Sequence, residues 1–371
     1  MHLKILLTGG GTGGHLYPGL AIVEEMKKRM NCEIGYVGTK RGVESRVIPE
    51  MEYQFYTIWM AGIHRGRFIV NLLFPIKMLV SLIQAMMIIL IFRPDVVIGT
   101  GGYVSWPVMM AAWLLHTPRF IQEQNKQPGL VTCKLAPLMQ GVFLSFQESR
   151  NYFKRKDHLH ICGNPTRGDL EKTDRPKGYQ KFQLNPQFTT LFIFGGSQGA
   201  LGINQAMMER IEQLMKMDKL QILWATGPRW FENIDRNVRQ YSNRIRPLPY
   251  ITDMGAAYSI ADLIVCRSGA TTIAEITRLG KPALFIPFPG AAANHQEANA
   301  AVLAEANAAA LVLESEIPSG QLDMILYDLL ENTDKRERLA KEARKFGHPE
   351  ASNMIVDQIM SEIQVSGDEK K

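Results

Sequence analysis

The residues best placed for chemistry lie near the start of the chain. Residues 6–21 read LLTGGGTGGHLYPGLA, with Gly9, Gly11 and Gly14 in the G-x-G-x-x-G spacing directly after an apolar run. Glycines that follow a strand let the backbone approach a phosphate. The start of the next helix adds unpaired N–H groups and the positive end of its dipole. A dinucleotide site also needs an acid at the end of the second strand, to hold ribose hydroxyls. Here that strand ends YVGTKRG, with no acid in place, which argues against a dehydrogenase. A Walker A loop is excluded because no G-K-[ST] follows. His15 comes directly after the glycines. An imidazole beside such a loop can serve as a general base; the plain alternative is a polar residue at a helix cap.

The second half repeats the design. FGGSQGA at 194–200 again joins a strand, a glycine turn and a helix, and Ser197 can offer its hydroxyl to a phosphate. CRSGATTIAEI at 266–276 has small residues where a helix start would meet a ligand, with Glu275 about one turn inside. A carboxylate there can hold both hydroxyls of a ribose, or it can simply face solvent. Gln296 follows the small-residue loop PFPGAAANH and is placed to bind sugar hydroxyls. Two such loops point to one or two diphosphate-bearing ligands in a cleft. No D-x-D occurs in the chain, so a nucleotide-sugar enzyme of this kind would neutralise its leaving diphosphate with backbone amides and helix dipoles. No metal site and no cofactor are expected.

The elements that must position these residues follow from the hydrophobic pattern. KILLTGG, EIGYVGT, PDVVIGTGGY, RFIQEQN and GVFLSF read as short buried strands with helical spacing between them. TTLFIFGG, QILWATG, ADLIVCRSG and PALFIPFP form a second series. Alternating strands and helices imply parallel α/β sheets, and 371 residues imply two domains. The expected division is 1–163, a polar linker 164–186, a second domain 187–340 and a helical tail 341–371. Residues 1–163 carry 18 Lys+Arg against 10 Asp+Glu, and the remainder 24 against 26. A basic first half suits an anionic partner such as phosphate or a membrane face. No basic stripe interleaved with aromatics is present, so nucleic acid is not expected as a partner. Four scattered cysteines without C-x-x-C fit reduced thiols, and MHLKILL lacks the features of a signal peptide.

Residues 68–92, FIVNLLFPIKMLVSLIQAMMIILIF, hold a single charge, Lys77. Length alone allows a membrane span. Pro75 and the polar positions Lys77, Ser81 and Gln84 fit better with a helix packed on a sheet. A third possibility is a surface helix whose apolar face rests in a lipid interface, with Arg65, Arg67 and Lys77 meeting anionic headgroups.

Taken in order, GGGTGGHLYPGLA, PDVVIGTGGYVSWP, QEQNKQPGL, GNPTR, FGGSQGA, CRSGATTIAE and HQEANA resemble the MurG family of N-acetylglucosaminyltransferases, glycosyltransferase family 28. The likeness runs from about residue 4 to 310. It implies a GT-B fold: two Rossmann-like, doubly wound parallel-sheet domains facing a cleft. The first domain would take a lipid acceptor, undecaprenyl-pyrophosphoryl-MurNAc-pentapeptide (lipid I), and associate with the membrane. The second would take UDP-GlcNAc. Transfer of GlcNAc to the 4-hydroxyl of MurNAc, with inversion, would give lipid II for the cell wall. Members act peripherally on the cytoplasmic side of the inner membrane.

Residue by residue, the likeness puts Thr12, Gly13, Gly14, Asn125, Arg167, Ser197, Ile251, Ala270, Thr271, Thr272, Ile273, Ala274, Glu275 and Gln296 at the donor. His15 takes the place of the family's candidate base, and Tyr103 and Glu123 lie on the acceptor side. Four features depart from the family pattern. Trp106 replaces a glycine, Gln122 replaces a histidine before E-Q-N, Ala293–Asn294 replace an acidic pair, and 68–92 is more apolar. The alternatives are another GT-B lipid glycosyltransferase, an enzyme like UDP-GlcNAc 2-epimerase, or a UDP-sugar-binding scaffold without turnover.

Overall fold

Short runs of Val, Ile, Leu and Phe form strands buried on both faces, as an all-parallel sheet flanked by helices requires. The structure, a computed structural model, describes residues 2–62 and 73–368. Its contacts divide the chain into two units, Met1–Arg167 with His348–Lys371, and Gly168–Gly347.

In the first unit the strands are β1 (His2–Thr8), β2 (Asn31–Gly38), β3 (Gln54–Thr57), β4 (Val96–Gly99), β5 (Arg119–Glu123), β6 (Gly141–Leu144) and β7 (Leu159–Ile161). They form one sheet in the order 3-2-1-4-5-6-7, with every pair parallel. The second unit has β8 (Thr189–Phe194), β9 (Leu220–Ala225), β10 (Ile245–Leu248), β11 (Leu263–Cys266), β12 (Ala283–Phe285) and β13 (Ala310–Leu311). Its order is 10-9-8-11-12-13, again parallel. Each sheet starts in the middle, runs to one edge, and returns to build the other edge. That reversal opens a crevice at the C-terminal ends of the two central strands, where ligands of such sheets bind.

The two expected series of strands are present, and β3, β7, β10 and β13 are added to them. The expected linker 164–186 is not a loose connector. Asn164 and Thr166 are buried in the first unit. Helix Arg175–Phe182, capped by the Asp174 carboxylate accepting from the Lys177 N–H at 3.0 Å, buries Tyr179 and Phe182 in the second. The expected tail at 341–371 is also divided. Helix Thr333–Arg344 belongs to the second unit, whereas helix Ala351–Asp368 lies against the first. There Ile355, Val356 and Ile359 are fully buried among Leu3, Ile5 and Ile22.

Helix Phe74–Phe92 differs from a buried crossover helix. Only 17% of its apolar stretch is buried. Ala85, Ile88, Ile89 and Phe92 face the core. Ile76, Leu79, Ile83, Met87, Leu90 and Ile91 are exposed, Ile91 to 72%. Two of the polar positions, Ser81 and Gln84, point inward instead. Ser81 is buried, Gln84 accepts the Trp59 backbone N–H at 2.8 Å, and the Lys77 ammonium sits 5.8 Å from the centre of the Trp59 ring. Arg65, Arg67 and the start of the 68–92 segment lie outside the described residues.

Candidate active site

In the first unit the loops after β1, β4 and β5 converge at the crevice. Gly101 and Gly102 have φ of +92° and +80°, in the left-handed region that glycine tolerates. A Cβ on Gly102 would stand 2.7 Å from the Gly10 carbonyl, so the loops after β1 and β4 touch through bare backbone. His15, near the start of helix Gly13–Arg29, lays its ring on this pair; a Cβ on Gly101 would be 3.2 Å from Nδ1. His15 Nδ1 is 2.8 Å from the Thr100 carbonyl oxygen and 3.0 Å from Gln124 Oε1.

The first glycine loop is braced from beneath. The buried Glu44 carboxylate accepts from the Gly11 N–H at 3.3 Å, the Thr39 N–H at 3.0 Å and the Thr39 hydroxyl at 3.1 Å. The Tyr36 hydroxyl donates to the Gly9 carbonyl at 2.7 Å. Burial, reinforced by the Glu44 charge, pushes the Tyr36 phenol well above its ordinary pKa, so it remains a donor.

Glu123 is likewise a loop holder. It accepts from the Asn125 N–H (3.1 Å), the Asn125 side-chain amide (3.2 Å) and the Gly129 N–H (3.1 Å). The Tyr103 ring packs against Gly11 and Gly62. The Arg167 guanidinium stacks 5.0 Å from the centre of the Tyr17 ring.

The second unit has its crevice between β8 and β11. A Cβ on Gly199 would stand 2.1 Å from the Thr226 carbonyl, so this turn packs on the loop after β9. Gly196, with φ of +92°, has open space where a side chain would lie, and Ser197 beside it is exposed. Helix Ala270–Leu279 starts at the crevice with no side-chain cap, and the Thr271 hydroxyl is buried without a hydrogen-bond partner among the described residues. An uncapped helix start beside small residues presents free N–H groups to an anion. Ala270 and Ile273 are buried, and Thr272 and Ala274 half-buried.

Glu275 does not face solvent. It is 3% exposed and accepts the Tyr258 hydroxyl at 2.9 Å. Tyr258 is fixed edge-on against Phe192 and Phe194. Ile251 is buried after β10. Gln296 accepts the Phe288 N–H at 3.0 Å through Oε1, and its carbonyl accepts the Ser268 hydroxyl at 2.8 Å. Just before it, Ala293 and Asn294 both have positive φ, of 50° and 55°, a strained pair of the sort found where a loop is shaped for a ligand. Among the described residues no group of three His, Cys, Asp or Glu is arranged to hold a metal ion.

The sequence pattern of the glycosyltransferase family 28 N-terminal domain matches residues 5–144, and that of the C-terminal domain matches 190–355. A Desulforamulus reducens protein named UDP-N-acetylglucosamine--N-acetylmuramyl-(pentapeptide) pyrophosphoryl-undecaprenol N-acetylglucosamine transferase is 39% identical, covering 95% of this chain and 97% of its own. A Salinibacter ruber protein of the same name is 37% identical, covering 96% of each. The chain belongs to glycosyltransferase family 28. MurG from Acinetobacter baumannii has the same fold, with TM-score 0.75 and 29% identity over 97% of this chain and 99% of that one. The UDP-GlcNAc 2-epimerase of Neisseria meningitidis, 16% identical over 97% and 100% of the two chains with TM-score 0.67, shares the fold alone.

Within this family-28 chain, Thr12, Gly13, Gly14, His15, Tyr103, Glu123, Asn125 and Arg167 fall in the first unit. Ser197, Ile251, the 270–275 helix start and Gln296 fall in the second. Of the departures, Trp106 packs against the apolar cluster containing Val104 and Val108. Gln122 is buried in β5, donating to Ser145 Oγ at 3.1 Å and Asn164 Oδ1 at 3.0 Å. Sequence reasoning missed Glu44, Tyr36, Gln124, Tyr258 and Arg267. Arg267 donates to the Ile286 and Pro287 carbonyls and to Glu314 while stacking on Phe288. It is the second residue of the glycine-containing CRSGAT run, which was the available signal.

Proposed function

We propose that the protein is an inverting glycosyltransferase that moves GlcNAc from UDP-GlcNAc to the 4-hydroxyl of MurNAc in undecaprenyl-pyrophosphoryl-MurNAc-pentapeptide, giving lipid II. The observation that carries this reading is the imidazole of His15 at the first crevice, its Nδ1 held inward, in a chain similar over nearly its full length to transferases of that name. His15 Nε2 takes the acceptor's hydroxyl proton. The freed oxygen pair forms the new bond to the anomeric carbon, and the carbon–oxygen bond to UDP breaks with its electrons on the diphosphate. Backbone N–H groups around Gly196 and the start of helix Ala270–Leu279 meet that charge. Glu275 and Gln296 hold the ribose and sugar hydroxyls. The first unit is then the acceptor domain and the second the donor domain.

The exposed apolar face of helix Phe74–Phe92 supports peripheral binding to an anionic, cytoplasmic-side inner membrane, which would bring the enzyme to its lipid acceptor. The test is transfer of labelled GlcNAc to a short-chain lipid I analogue with EDTA present. Transfer is the expected result. UDP binding without transfer to this acceptor would overturn the acceptor assignment, and epimerisation of UDP-GlcNAc without any acceptor would overturn the transferase reading.

A further inference from the structure

Behind His15 lies a row of buried amides. The Thr100 carbonyl oxygen carries no proton, so Nδ1 at 2.8 Å must supply one. Gln124 Oε1, at 3.0 Å, is a second acceptor for the same proton. The other end of Gln124 decides which of its amide atoms is which. Its Nε2 lies 2.8 Å from the Thr100 carbonyl and 3.1 Å from the Gln122 carbonyl, both acceptors only, so the nitrogen belongs there and the oxygen faces His15. The Gln122 side-chain oxygen also accepts from Gln124 Nε2, and Gln122 Nε2 is anchored on Ser145 and Asn164. Gln122 and Gln124 are 0% and 2% exposed, and every member of the row is uncharged. Among the described residues nothing hydrogen-bonds to His15 Nε2.

We propose that Gln124 is the positioning residue of His15. It holds the Nδ1–H tautomer in two ways, by its own amide oxygen and by gripping the Thr100 carbonyl that the same proton reaches. The lone pair is thereby kept on Nε2, facing the crevice. A carboxylate in this place would also fix the tautomer, but would add a negative charge behind the ring and stabilise imidazolium. An amide fixes the ring without that charge. The proposal rests on the reading of His15 as the base.

The full chain with 15N-labelled histidine tests it, the His15 signals being assigned by their loss in His15→Ala. Gln124→Glu puts a carboxylate against Nδ1–H. The His15 titration should move upward by about one pH unit or more, and the acid limb of the kcat profile should move with it. Gln124→Met keeps the length and removes the oxygen. It should lower kcat about tenfold with KM for UDP-GlcNAc unchanged, and the nitrogen shifts should show a mixed tautomer. Unchanged His15 shifts and titration in both variants would overturn the proposal. Shifted His15 signals with full turnover in His15→Ala would instead overturn the base and leave Gln124's hold on the ring standing.

Discussion

The two glycine loops occupy the same place in the same topology, yet they are built differently. The first is tied down by side chains from its own unit. Glu44 takes the Gly11 N–H, Tyr36 takes the Gly9 carbonyl, and the His15 ring lies across Gly101 and Gly102. What it offers at the crevice is an imidazole. The second is bare: among the described residues nothing occupies the space where a Gly196 side chain would lie, Ser197 is exposed, and the neighbouring helix start is uncapped. What it offers is backbone N–H groups. A parallel sheet with a reversal of strand order thus supplies a place for chemistry, and the residues around the loop decide whether that place presents an imidazole or backbone N–H groups.

The largest break in this contrast should come from the first loop. His15→Ala is expected to lower turnover about 10²–10⁴-fold, with UDP-GlcNAc affinity nearly unchanged. Steady-state kinetics beside calorimetric UDP binding measure the two separately, and full turnover in the variant would remove His15 as base. Glu44→Ala should destabilise the first unit by about 1–3 kcal/mol, because the Gly11 and Thr39 donors lose their buried acceptor. Urea unfolding reads this, and a midpoint equal to that of the unaltered chain would mean the loop stands without its brace.

A smaller change belongs to the second loop. Glu275→Ala should weaken UDP binding about tenfold, roughly the value of one hydrogen bond to a charged group. Unchanged UDP affinity would take Glu275 out of the donor site. The smallest effect sharpens the contrast through cysteine. Burial pushes the Cys162 thiol up to about 11 and the Cys266 thiol well above its ordinary value. Cys162 belongs to the first unit and Cys266 ends β11 in the second. Neither should react with an alkylating reagent at pH 8 before unfolding. UDP should raise by a few degrees the temperature at which Cys266 reacts, and leave that of Cys162 where it was.

Much of this was legible in the residues. Glycine runs after apolar strands are local signals, and both mark a crevice. The braces were not legible, because they are set by distance in space. Glu44 lies 33 residues from Gly11 in an unremarkable G-V-E-S run, and no periodicity joins them. Tyr258 and Glu275 meet only because β11 and the helix after it fold back. The helix at 74–92 stayed open among three readings for another reason. Three polar positions on one face show that the two faces of the helix differ, but not which of them meets the protein; here Ser81 and Gln84 turn toward the protein while leucine and isoleucine turn out.

The last helix has a consequence for how the molecule is made. Arg29 is bonded to Asp357 and, at 3.0 Å, to Asn353, and Ile355, Val356 and Ile359 complete the core beside β1. The second unit is one continuous stretch of chain, and the first is not. On a ribosome, the half of the protein made first is therefore finished last. The second unit has all its residues while the first still waits for a wall, so a chain released early would lack a closed first unit however well its second unit has folded.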